Sequence, residues 1–135
     1  MKRQKPKVLC VCSMGLNRSR FLAKYLKEKG YETRYGGVGP CRVDPEPENP
    51  VNTEDIGWAD IIITARKKQK PILTESYGVD PKRIITLDVT DSRKAMSEIY
   101  PEFKNISHEE FNKRWTHPQL MKEIGEYLPL ENFLE

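Results

Sequence analysis

Short apolar runs alternate along this chain with stretches whose apolar residues recur at helical spacing. Val8-Leu9-Cys10-Val11 is continuously apolar, which predicts a strand buried on both faces. Phe21-Leu22-Ala23-Lys24-Tyr25-Leu26 is amphipathic and predicts a helix, closed by Lys29 and Gly30. Tyr31 to Tyr35 alternates and predicts a second strand, which the glycines from Gly36 onward are expected to break. Residues 42–50 are rich in proline and acid and predict a loop. Thr53 is the expected cap of a short helix, and Ala59 to Thr64 predict a third strand. A helix is expected from Arg66 to about Tyr77, kinked or restarted by Pro71, and a fourth strand over 82–87. Ser92 to Ile99 predict a weak helix stopped by Pro101. Ser107-His108-Glu109-Glu110 has the form of a capping box and opens a helix bearing Phe111 and Trp115. A further helix, from about Thr116 to Tyr127, carries Leu120 and Ile124.

Strands and helices in alternation imply βαβ units with right-handed crossovers, and so an α/β protein. The length of 135 residues suits one domain spanning 1–135, with residues 1–6 as a flexible tail. Net charge is +3, too small to demand a nucleic-acid partner, and none is expected. The charge is concentrated in the tail, at Lys2, Arg3, Lys5 and Lys7, and at Arg66, Lys67, Lys68 and Lys70. The second group reads as a solvated helix face that is able to steer phosphorylated substrates. No run is long enough to span a membrane and no secretory segment is present, so no membrane partner is expected. Three cysteines without metal-ligand spacing fit a reducing, cytoplasmic setting with no metal and no cofactor. His108 and His117 lie in a charged stretch and are expected at the surface.

The chemistry is concentrated between the first strand and the first helix, in Cys12-Ser13-Met14-Gly15-Leu16-Asn17-Arg18-Ser19. A loop that runs from a strand into a helix N-terminus turns its N–H groups inward, and the helix dipole adds positive charge there. Such a nest binds an anion, so residues 13–19 are the candidate phosphate-binding loop: Ser13, Met14, Gly15, Leu16, Asn17, Arg18 and Ser19. Arg18 contributes a planar fork that matches two phosphate oxygens. The same field favours a thiolate at Cys12, the nucleophilic form of the side chain. Ser19 is placed to donate a hydrogen bond to that sulfur, and Gly15 to take the positive φ a tight loop requires. Cys10 shares the strand periodicity of Cys12 and reads as a small buried apolar residue; Cys41 has no assigned role.

A phosphate ester leaves well only when its oxygen is protonated, and the covalent intermediate then needs an activated water. One carboxyl group serves both steps. Asp91 follows the apolar run at 84–87, at what should be the C-terminal end of a strand, where open α/β sheets bind ligands. Asp91 is therefore the candidate general acid and base, with Asp88 as runner-up; Asp91 also fits an N-cap of the helix that follows. Asp44 and Asp80 each precede a proline and read as turn residues.

The segment VLCVCSMGLNRSRFLAKYL resembles the phosphate-binding loop of the low-molecular-weight protein tyrosine phosphatases, with strand, C-x5-R-S and helix at the start of the chain. Trp58 to Ile63 is similar to that family's WADLIL strand, and Arg83 to Asp91 to the strand that delivers its late aspartate. The resemblance covers about residues 7–105 and implies a three-layer fold, with a four-stranded parallel sheet in the order 2-1-3-4 flanked by helices. It also implies a cysteine-dependent phosphomonoester hydrolase, most simply a protein tyrosine phosphatase, acting on a phosphorylated protein or small phosphate ester. The departures concern the loop and the acid. Asn17 stands where the family usually has a second cysteine, Gly15 where it has asparagine, and Ser92-Arg93-Lys94 where proline and tyrosines follow the aspartate. The Asn17-Arg18-Ser19 triplet is also similar to that of phosphatases acting on the RNA polymerase tail. Three alternatives remain on these residues: an arsenate reductase, which needs further downstream cysteines, a phosphocarrier, which lacks the arginine, and an inactive phosphate-binding module.

Overall fold

The computed structural model of the chain describes residues 5–38 and 49–134. Expectations for Lys2, Arg3, Cys41, Asp44 and most of the 42–50 loop lie outside the described residues. Strand β1 (Lys7–Cys12) is central, flanked by β2 (Glu32–Gly37) and β3 (Ile61–Thr64), with β4 (Ile84–Thr86) beyond β3. All pairings are parallel, and the order is β2-β1-β3-β4, as the resemblance implied.

The pleat of β1 divides the core. Val8 and Cys10 point to one face with Ile61 and Ile63, where helix α1 (Arg18–Glu28) brings Leu22 and Leu26. Leu120 and Ile124 of helix α6 (His117–Gly125) complete that layer. Leu9, Val11 and Ile62 point to the other face, covered by Ile56 of α2 (Thr53–Trp58) and by Ile72 and Leu73. Every residue of β3 is buried, as a strand covered on both faces requires.

Several boundaries differ from expectation, each for a local reason. Strand β2 runs through Gly36 and Gly37 instead of breaking there, pairing them with Val11 and Cys12. A Cβ on Gly37 would lie 2.5 Å from Met14 C and one on Gly36 2.6 Å from Val51 Cγ1, so the glycines permit close packing against the loop and against Val51. Strand β3 starts at Ile61 because Ala59 closes α2 and the Asp60 carboxylate turns to accept from Lys7 N–H at 2.9 Å. Helix α3 (Gln69–Pro71) holds Pro71 in its first turn, where no hydrogen bond is lost, and runs on through a π turn at Ile72–Ser76. Helix α4 (Arg93–Ile99) is capped by Ser92, which frees Asp91 from the capping role. Helix α5 (His108–Phe111) continues without a break through a π turn (Asn112–Thr116) into α6. Pro118 has no N–H for the carbonyl four residues back, and the wider turn carries the chain past it. The capping box is half formed: Ser107 accepts from Glu110 N–H, while the Glu110 carboxylate accepts from Arg114.

The cap of α2 is Asn52, whose Oδ1 accepts from Asp55 N–H at 2.7 Å, and not Thr53. Asn52→Ala is therefore expected to lower stability by about 1 kcal/mol, and Thr53→Ala by less, in chemical denaturation. An equal loss at both positions would return the cap to Thr53.

Candidate active site

Strand β1 ends at Cys12, which is 2% exposed, and the chain turns through Ser13–Asn17 into α1. Gly15 makes the turn possible. Its φ is +78°, and a Cβ there would lie 2.4 Å from Asn49 O and 2.5 Å from Gly37 N. Asn49 clasps the loop from behind: its N–H donates to Met14 O at 3.0 Å and its Nδ2 to Gly15 O at 3.0 Å. Gln69, fully buried, donates from Nε2 to Ser13 Oγ at 3.3 Å and accepts at Oε1 from Arg66 N–H.

The open end of the loop is electropositive. Among the described residues, no N–H of residues 13–17 donates to a protein acceptor. Asn17 occupies the N-cap position of α1, yet its side chain makes no capping bond, and the first turn holds no acid. Ser19 Oγ lies 3.1 Å from Cys12 Sγ, placed to donate to the sulfur when it is ionised. Arg18 is 6% exposed; its Nη1 donates to Val89 O at 2.9 Å, and its buried Nε has no hydrogen-bond partner. A buried guanidinium is costly unless something anionic completes it, and the Asp91 carboxylate, 3.5 Å from Nε, does so in part.

The structure brings Asp91 to this end and leaves Asp88 outside it. Asp91 Oδ2 accepts from Asn17 Nδ2 at 2.9 Å and lies 3.5 Å from Arg18 Nε. Asn17 Nδ2 is also 3.3 Å from Asn112 Oδ1, so both amide hydrogens of Asn17 have acceptors and the amide is held in one orientation. Asp88 Oδ1 instead accepts from Arg66 Nε at 2.8 Å and from Lys67 N–H. Burial alone would raise the pKa of Asp88, but these donors and charges outweigh it and hold the carboxyl below its usual range. Cys12, Arg18 and Asp91 line one cleft of about 440 Å³, with Arg66 and Lys68 on its basic side. Part of the charge run expected to be a solvated helix face therefore borders the site.

Cys10 is fully buried beneath the loop, and burial, followed by the neighbouring Cys12, pushes its thiol well above the usual range. It is an inert core residue, as expected. His108 is exposed, whereas His117 is half-buried, its ring stacked on Phe21 at 3.9 Å between centroids. Burial lowers its pKa, which favours the neutral ring.

Sequence reasoning missed Asn49, Gln69 and Asn112. Each is a polar residue whose partner lies 34, 56 or 95 positions away, and no local pattern announces such a contact.

No protein-family model and no curated protein matches this sequence. Solved structures do match. The YwlE arginine phosphatase from Geobacillus stearothermophilus superposes with a TM-score of 0.58 at 18% identity, over 93% of this chain and 94% of that one. The low molecular weight protein tyrosine phosphatase from T. tengcongensis gives 0.53 at 20% identity, over 90% and 99%. The Erwinia amylovora tyrosine phosphatase AmsI gives 0.56 at 13% identity, over 93% and 95%. The chain therefore has the fold of the low-molecular-weight tyrosine phosphatases, over nearly its whole length.

Proposed function

We propose that this protein is a cysteine-dependent phosphomonoester hydrolase of the protein tyrosine phosphatase type, with residues 1–135 acting as one domain. The observation that carries the reading is a buried arginine and the Cys12 sulfur at the two ends of one loop whose N–H groups have no acceptor among the described residues.

The residues supply each step. Phosphate oxygens lie on the N–H groups of residues 13–18 and on the Arg18 fork. The Cys12 thiolate attacks phosphorus and the ester P–O bond breaks. Asp91, protonated, gives its proton to the leaving oxygen. Its Oδ2 is engaged by Asn17, and Oδ1, which has no hydrogen bond among the described residues, carries the proton. The same carboxylate then takes a proton from water, which attacks the thiophosphate. The P–S bond breaks, phosphate departs and the thiolate returns, steadied by the Ser19 hydroxyl. Arg18 argues against a phosphocarrier, because a carrier must release its phosphoryl group to another acceptor. The reaction needs Cys12 reduced, which supports a cytoplasmic location. No helix among the described residues is long and apolar enough to cross a membrane.

Turnover of phosphotyrosine, phosphoserine and phosphothreonine peptides of one sequence, measured side by side, tests the assignment. Phosphotyrosine is expected to be hydrolysed fastest, because its phenolic oxygen leaves most readily. A clear preference for phosphoserine or phosphothreonine would reassign the substrate class while keeping the mechanism.

A further inference from the structure

Beside the phosphate cleft, across Leu16 and Asn17, lies a second hollow of about 280 Å³. Its walls are Leu16 and Asn17 of the loop, Arg20, Phe21 and Lys24 of α1, and His117 of α6. Leu16 and Asn17 also line the phosphate cleft, so the two hollows share a wall, and Leu16, 45% exposed, stands between them. The Phe21 and His117 rings are stacked, their planes within 4° of parallel, and join α1 to α6.

Arg20 and Lys24 are one helical turn apart on α1, both exposed, and neither has an ion pair or hydrogen bond among the described residues. Other arginines at the surface are engaged: Arg34 with Asp55, Arg66 with Asp88, Arg114 with Glu110. Among the described residues no carboxylate lines the hollow. A pair of cations on a helix face is most often only solvated. These two instead border a concave surface that adjoins the site where a phosphoryl group is held.

We propose that this hollow is a second anion subsite, which receives an acidic side chain one or two residues from the phosphorylated residue of a protein substrate. The inference rests on the phosphatase reading and adds a substrate class to it. An extended chain advances about 3.3 Å per residue, so a neighbouring residue reaches an adjoining hollow without strain. The methylenes of a Glu or Asp lie on Leu16 and Phe21, and the carboxylate meets Arg20 and Lys24. Such a contact lies away from the reacting atoms. It strengthens ground state and transition state alike, and appears in KM and not in kcat.

Steady-state kinetics on the full chain test this with three probes. They are p-nitrophenyl phosphate, a phosphotyrosine peptide flanked by glutamates, and the same peptide flanked by glutamines. At low salt the acidic peptide is expected to show a KM about tenfold lower than the neutral one, an advantage that fades at high salt. The double variant Arg20→Glu, Lys24→Glu is expected to raise the KM of the acidic peptide by about tenfold or more and leave p-nitrophenyl phosphate unchanged. Arg20→Gln, Lys24→Gln, which keeps the side-chain bulk, should fall between. Equal KM values for the two peptides with the native chain overturn the inference, as does a loss in the variants that is shared by all three probes. A small bisphosphate preferred over the acidic peptide overturns the commitment to a carboxylate. Absence of Cys12-dependent hydrolysis of every probe overturns the phosphatase reading itself, a different result from hydrolysis without preference.

Discussion

Cys12→Ser is expected to lower phosphomonoester hydrolysis by about 10⁴-fold or more, the scale on which covalent mechanisms respond to loss of the nucleophile. The hydroxyl occupies nearly the same volume, and Cys12 is almost wholly buried, so the loop should keep its shape. What is lost is the sulfur that the proposed mechanism uses to attack phosphorus. EDTA is expected to leave the native rate unchanged, because Arg18 and the loop N–H groups supply the positive charge. Initial-rate assays on p-nitrophenyl phosphate decide both points. A serine variant with full activity, or a native enzyme silenced by EDTA, would sink the mechanism.

Asp91→Asn should cost about 10²–10⁴-fold in kcat on a substrate with a poor leaving group, the usual worth of a positioned acid. On p-nitrophenyl phosphate the loss should be smaller, since that leaving group needs less help. Asp88→Asn should change kcat little, because Asp88 holds the outer side of Arg66 in a partly exposed pair worth about 0–1 kcal/mol. The sign of its titration fits that assignment. Asp88 has a folded pKa below its unfolded value, so its stabilising contribution is present above the unfolded value and is lost as pH falls through the lower one. Its titration therefore lies in acid, away from any neutral-pH limb of activity. A larger loss at Asp88 than at Asp91 would reassign the acid.

The strands, the strand–loop–helix turn after Cys12 and the position of Asp91 just past the last strand were legible because each depends on neighbours in sequence. Val8 to Val11 and Ile61 to Ile63 are apolar without interruption, and only a doubly covered strand needs that. Cys12, Gly15 and Arg18 carry their chemistry within seven residues. The misread places depend on distant partners or on competition between similar local choices. Gly36 and Gly37 looked like a break because the groups that fill the space over them are distant in sequence, Val51 over Gly36 and Ser13 and Met14 over Gly37. Asn52 and Thr53 are both good caps, and the backbone at Asn52 is the extended one a cap requires. Asn112 reads as a polar residue in a charged helix until the fold sets it 3.3 Å from Asn17.

Helix α1 begins without the capping bond its own asparagine is able to give, since Asn17 directs that side chain to Asp91. On the proposed reading its first N–H groups are left for a phosphate to satisfy, so a cap normally built into the chain would arrive from solution. Folding and occupancy then become one linked equilibrium. An anion at a hundred times its dissociation constant adds about 2.7 kcal/mol to the stability of whatever state binds it. On the proposed reading, phosphate is therefore expected to raise the unfolding temperature of the chain, and a Cys12 loop that binds no anion would leave that temperature unmoved.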